Sequence, residues 1–252
     1  MSGFLSTTMI VATLGVDGAL ADDGDDEIPF SKALVLLQLN DTDGDPGFHA
    51  RIDGEPWKRM SIENPAERVV LEVKPRRQLR RQGMAEVSFE SREPPFDELG
   101  PDAFVKRFPE GKYEISGRTL AGKELESTGI LSHVIPAPAE NILSGGTSIE
   151  FNCEDEVLPV LARPYTISWD PVLTAHPEIG PARPIEVSGY ELVIERIEGV
   201  PLKFQVNLDA DLTAFTVPDE LIMQGDTLKV EVLVVASNGN ETGREACFVS
   251  AE

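Results

Sequence analysis

Three carboxylates stand at alternating positions in Asn40-Asp41-Thr42-Asp43-Gly44-Asp45-Pro46-Gly47. Hard oxygen ligands at that spacing can wrap a calcium ion. The regular calcium-loop pattern would want glycine where Pro46 stands and glutamate where Ile52 stands, so this is not such a loop. The same residues serve equally as a solvated acidic turn between two strands. Asp41, Asp43 and Asp45 are the metal candidates, and calcium is the only cofactor the residues suggest.

The stretch Lys74-Pro75-Arg76-Arg77-Gln78-Leu79-Arg80-Arg81-Gln82-Gly83 is the one basic cluster on an acidic chain. A guanidinium fork grips a carboxylate or sulfate through two parallel hydrogen bonds. Arg76, Arg77, Arg80 and Arg81 are therefore expected to meet an acidic protein or an anionic glycan. The alternative is a loop whose arginines pair with the protein's own acids.

Catalytic chemistry is scarcely represented. His49, His133 and His176 are the only histidines, and none sits in a nucleophile-elbow, HExxH or phosphate-loop context. The residues predict no catalytic site, no resident cofactor and a protein that is not an enzyme. Paired carboxylates for glycoside hydrolysis keep an enzyme of unrecognised type as an alternative. Two Trp and three Tyr offer little for an aromatic-lined cleft. Trp57, beside Asp53-Gly54, would stack on a sugar if the chain were a carbohydrate-binding accessory module. Otherwise it packs across a hairpin. Asn40-Asp41-Thr42 and Asn240-Glu241-Thr242 both fit the N-glycosylation pattern.

The elements that must position these groups are β-strands. Glycine and proline are abundant, at 21 and 19 in 252 residues, and aromatics make up 6%. That composition favours short strands joined by turns. A net charge of -22 repels nucleic-acid phosphate and anionic lipid, so neither is expected as a partner. No apolar run reaches the ~18 to 20 residues that span a bilayer.

Residues 1–21 have the outline of a secretory leader, with an apolar Phe4 to Val16 and a small-x-small Ala19-Leu20-Ala21. Against that reading, no Lys or Arg precedes the apolar run and Asp17 interrupts its end. Residues 22–31 carry an acidic run expected to be a disordered tether. Residues 32–134 form a first β-rich unit. Its strands are expected at Ala33 to Leu39, Arg68 to Val73, Met84 to Phe89, Gly111 to Gly117 and Leu125 to Val134. Asp53-Gly54 is read as a hairpin turn between Phe48 to Ile52 and Trp57 to Ile62. One short helix is expected from about Pro101, stopped before Pro109. Residues 135–140, with Pro136-Ala137-Pro138-Ala139, form a stiff linker. Residues 141–252 form the second unit.

The second unit resembles a fibronectin type III domain. The resemblance rests on Tyr165-Thr166-Ile167-Ser168-Trp169-Asp170-Pro171-Val172, on Ser188-Gly189-Tyr190-Glu191-Leu192-Val193-Ile194, and on Leu228 to Gly239. It implies that Trp169 is core. Leu228 stands where the family usually carries a clamping tyrosine. The phrase Phe108-Pro109-Glu110-Gly111-Lys112-Tyr113-Glu114-Ile115 resembles immunoglobulin-like extracellular modules. Cys153 and Cys247 lie near the two ends of the second unit. They are either a disulfide or two buried thiols.

The expected architecture is all-β: two tandem β-sandwich domains, an immunoglobulin-like one with one short inserted helix and a fibronectin type III-like one. The resemblance implies a non-catalytic binding or structural protein, acting in adhesion, scaffolding or ligand presentation. It would be secreted, periplasmic or at the cell surface, with a protein or glycan partner. The Pro-rich Leu173 to Glu186 loop is a second expected contact region.

Overall fold

The structure is a computed structural model that describes residues 27–251. The leader-like segment and residues 22–26 of the acidic run lie outside the described residues. The chain is all-β, with two hydrophobic cores. The first unit comprises β1 (Lys32–Asn40), β2 (Asp45–Glu63), β3 (Val69–Val73), α1 (Arg77–Gln82), β4 (Met84–Glu90), α2 (Pro101–Arg107), β5 (Gly111–Thr119) and β6 (Glu124–Leu131). Helix α2 is the expected one: Pro101 opens it and its buried Phe104 reaches the first core. The tether is shorter than its charges suggest. Ile28 exchanges backbone hydrogen bonds with Glu124 and Glu126, and Phe30 is buried in the first core. Apolar side chains after the acidic run give the chain something to bury.

Strand β2 organises this unit and corrects one expectation. Asp53-Gly54 is not a hairpin turn; the strand runs straight through it for 19 residues. Its first half pairs with β1 and β4, and its second half with β5 and β3, with register shifts between Asp53 and Trp57. Irregularities of this kind let one strand serve two layers. Gly54 is needed because a Cβ there would lie 2.9 Å from the Phe30 ring. Two irregularities, between Asp53 and Trp57 and between Trp57 and Arg59, turn Trp57 inward, and Met60 and Ile62 then resume the phase of Phe48, Ala50 and Ile52. Trp57 is fully buried, so it offers no face to a sugar.

The second unit comprises β7 (Leu143–Ser144), β8 (Thr147–Ser148), β9 (Val160–Leu161), β10 (Thr166–Ser168), β11 (Val187–Arg196), β12 (Lys203–Asp209), β13 (Ala214–Thr216), β14 (Thr227–Ala236) and β15 (Glu241–Ser250). One layer runs β13-β10-β7-β8 and the other β12-β11-β14-β15. This is the fibronectin type III-like sandwich expected. Trp169 is core, edge-on to Tyr190 at 5.3 Å. Leu228 is buried, so the hydroxyl clamp is absent at its position. Tyr190 supplies a different one, its hydroxyl accepting from the Val172 N–H at 2.9 Å. Cys153 and Cys247 form a disulfide with Cα atoms 5.2 Å apart.

The two units are not beads on a stiff spacer. β15 continues the second unit's sheet into the first by pairing in parallel with β1, Gln38 opposite Glu241 and Asn40 opposite Gly243. The linker is buried between the units, including Ile135, Pro136 and Ala139. Asn240 is the joint. Its side-chain oxygen accepts from the Leu37 N–H, and its amide donates to the Ser132 and Val134 carbonyls, all at 2.8 Å. Thr242 donates to the Pro136 carbonyl at 2.7 Å. Full burial also removes Asn240 as a glycan acceptor in the folded chain. Asn240→Ala would strip partners from the Leu37 N–H and the Ser132 carbonyl. Each orphaned group costs ~1–3 kcal/mol. Urea unfolding of Asn240→Ala should show a loss of about 2–6 kcal/mol. An unchanged midpoint would mean that the joint carries no stability.

Candidate functional site

The basic stretch folds as a six-residue helix, α1, where the sequence suggested a loop. Helix α1 ends at Gly83, whose φ of 84° suits glycine and whose N–H caps Leu79 at 2.9 Å. A Cβ at Gly83 would press Pro56 at 2.9 Å and Leu120 at 3.1 Å, so glycine also lets α1 dock closely on the sheet. Arg80 and Arg81 sit in the last turn, where the helix dipole favours cations.

Beside α1 lies a groove of about 340 Å³ lined by Lys58, Arg59, Lys74, Arg80 and Arg118. Arg76, Arg77, Arg80 and Arg81 are all exposed. Among the described residues none of the four forms an ion pair; Lys74 pairs with Glu72 at 2.6 Å and Arg118 with Glu124. Self-neutralisation of the four arginines is therefore not what the fold does. Arg59 on β2 stands directly opposite Arg118 on β5. Like charges in that position are destabilising without a counter-charge. Lys58, Arg59 and Arg118 were not legible as site residues, because only strand register brings them to Arg80.

Asp41, Asp43 and Asp45 lie in or beside the β1–β2 turn but do not converge. They are not among the described residues whose ligand atoms gather within 4.8 Å. Asp41 is committed elsewhere, accepting from His176 Nε2 at 3.0 Å and pairing with Arg244 at 2.8 Å. His176 Nδ1 accepts from the Glu178 and Ile179 N–H groups, which puts the proton on Nε2. Burial pushes the Asp41 carboxyl up, but His176 and Arg244 together hold it below the usual carboxylate value. Asp43 accepts from Asn40 at 3.2 Å. Asp45 is pushed up to about 6, first by burial and then by Glu93 and Asp43.

That His176 contact anchors the middle of the Pro-rich loop. Ile179 belongs to the first core, and the His176 N–H donates to the Ile135 carbonyl at 2.8 Å. His176 and Ile179 strap the two units together, while most of Leu173 to Glu186 remains exposed. His133 Nε2 lies 2.7 Å from the Phe108 carbonyl oxygen, again a structural contact.

A cavity of about 560 Å³ lies beside Cys153 and holds Glu195, Lys229 and Glu245 but no histidine. Lys229 ties the two acids together, at 3.6 Å to Glu195 and 3.0 Å to Glu245. Glu231, the cross-strand partner of Glu245, is pushed up to about 7 by burial and then by the Glu245 charge. It does not line the cavity. This arrangement raises one carboxyl inside a sheet face, while the acids that line the cavity are paired through Lys229.

No family model matches the chain, and no curated protein matches it. Among solved structures, the chicken CNTN1 FN1–FN3 domains align with a TM-score of 0.34 and 9% identity over 90% of this chain. The chain spans 65% of that structure's length. A two fibronectin type-III domain segment from chicken tenascin aligns with a TM-score of 0.30 and 13% identity, over 86% of this chain and 99% of that one. Scores this low carry no weight for function; the strand order of the second unit stands on its own.

The Glu231 carboxyl gives a pH signature. Its folded value, about 7, lies above the ordinary 4.5. The stability contributed by the neutral form is present below the unfolded value and is lost as pH rises through the folded one. Glu231→Gln should therefore match the wild type at pH 4.5 and exceed it at pH 8 by on the order of 1–3 kcal/mol. Urea midpoints across that range check this; parallel curves would mean that Glu231 is solvated.

Proposed function

We propose that this chain is a non-catalytic binding module acting outside the cytosol, secreted, periplasmic or at a cell surface. It docks a polyanion, an acidic protein segment or an anionic glycan, on the groove between α1 and the β2–β5 face. The observation that carries this reading is the charge arrangement. Arg76, Arg77, Arg80 and Arg81 are exposed and, among the described residues, without ion pairs, on a chain of net charge -22. The opposed pair Arg59 and Arg118 adds to it. Among the described residues the chain's many acids leave these four arginines unneutralised, whereas Arg118 is paired with Glu124. The mechanism is display: two sandwiches fused by one sheet present α1 at the surface, and carboxylates or sulfates chelate its guanidinium groups.

One further feature supports the reading. The Cys153–Cys247 disulfide fits an oxidising compartment. Residues 32–134 would then be the ligand-bearing unit and residues 141–252 its structural partner.

Binding of a polyglutamate peptide and of heparin to the full chain, followed by fluorescence anisotropy, tests this. Each exposed ion pair contributes ~0.2–1 kcal/mol, so replacing all four arginines by serine should weaken binding by roughly fourfold to several hundredfold. Affinity should also fall with added salt. Peptide binding alone identifies a protein partner, and heparin binding alone a glycan. Unchanged binding by the serine variant of whichever ligand binds, or no binding of either, overturns the proposal.

A further inference from the structure

We propose that the outer face of β2 and β4 carries a site for a divalent transition ion of the zinc type, built from His49, Glu90 and Glu93. Ligand atoms of these three residues all lie within 4.8 Å of one another. The site is separate from the basic groove and uses none of its residues.

The backbone sets this constellation up. His49 on β2 and Glu90 on β4 are direct cross-strand partners, so their side chains share one face. Glu93 follows after the strand ends, and two hydrogen bonds strap this segment back onto β2. The Ser91 N–H donates to the Phe48 carbonyl, and the Phe48 N–H donates to the Ser91 hydroxyl oxygen, both at 2.9 Å. Further along, the Phe96 N–H donates to the Gly44 carbonyl at 2.9 Å. The carboxylate of Glu93 thereby lies above Gly47. A Cβ at Gly47 would sit 2.2 Å from Glu93 Oε1 and 2.6 Å from His49 Nε2. Only glycine leaves room for the two ligand atoms to meet there.

The ligand chemistry decides the ion. His49 Nε2 and Glu93 Oε1 are 3.1 Å apart. Zinc bonds of ~2.0–2.1 Å in a tetrahedron put ligand atoms ~3.3 Å apart, so the ion can replace the hydrogen-bond proton with little movement. One imidazole nitrogen with carboxylate oxygens suits zinc better than calcium, which takes oxygen ligands throughout. His49 is only 7% exposed, which holds the ring in place. Glu93 is partly buried and Glu90 exposed, which leaves an approach from solvent. An independent observation points the same way. Asp45 shares this face of β2 by alternation, and its Oδ1 is buried with no hydrogen-bond partner. A water held by the bound cation would give that oxygen a partner.

Calorimetric titration of the untagged, chelator-stripped full chain with zinc tests the site, with cobalt absorption as a second readout. The expected result is one zinc per chain and no comparable response to calcium. Glu90→Gln alters an exposed ligand and should leave the fold intact while weakening zinc by more than the roughly 10–100-fold typical of an outer-shell partner. Gly47→Ala should abolish binding by closing the space. Circular dichroism with chelator present confirms that each variant is folded. Failure to bind zinc overturns the proposal. So does zinc binding that survives in both folded variants, which would place the ion on other surface carboxylates.

Discussion

One buried amide decides how the two halves of this protein meet. Asn240 extends the parallel ladder between β1 and β15 by one rung, its side-chain oxygen standing where a backbone carbonyl would. Its amide then fastens the carbonyls of Ser132 and Val134 in the chain between the units. A buried polar group is costly unless its hydrogen bonds are made, so this arrangement tolerates one geometry and penalises its neighbours. The Asp41, His176 and Arg244 contacts close the same seam, and Ile179 enters the first core from the second unit's long loop. The result is one sheet serving two cores.

This constraint explains what was legible in the sequence. The second unit's strands follow from alternation, from Trp169 and from turn residues, all local signals. Helix α2 was legible from Pro101 and from apolar spacing. The joint was not, because Asn240 reads as an exposed turn residue until β1 is placed beside it. Pro136 to Ala139 reads as a spacer for the same reason: composition reports chain stiffness, not what covers it. Asp53-Gly54 has the chemistry of a turn, yet its glycine answers to Phe30, which is distant in sequence.

The candidate sites divide along the same line. Arg76, Arg77, Arg80 and Arg81 form a run that any reading of charge would find, and among the described residues the fold leaves them unpaired. Their companions Lys58, Arg59 and Arg118 become visible only through register. Asp41, Asp43 and Asp45 have the spacing of ligands but not the geometry, since Asp41 is spent on the seam. The His49, Glu90 and Glu93 constellation had no sequence signal, because a cross-strand pair and a strapped loop assemble it.

The parallel pairing of β1 with β15 has a mechanical consequence. Tension applied toward the start of β1 and the end of β15 pulls the two strands past one another along their length. The rungs between Gln38 to Asn40 and Glu241 to Gly243, with Asn240 beside them, would then be loaded together instead of opening one at a time. A junction stressed in shear resists more force than one peeled from its end. The weakest-looking point of the chain, the short stretch between its two units, is thus bypassed by a clamp that tightens the whole molecule against stretching.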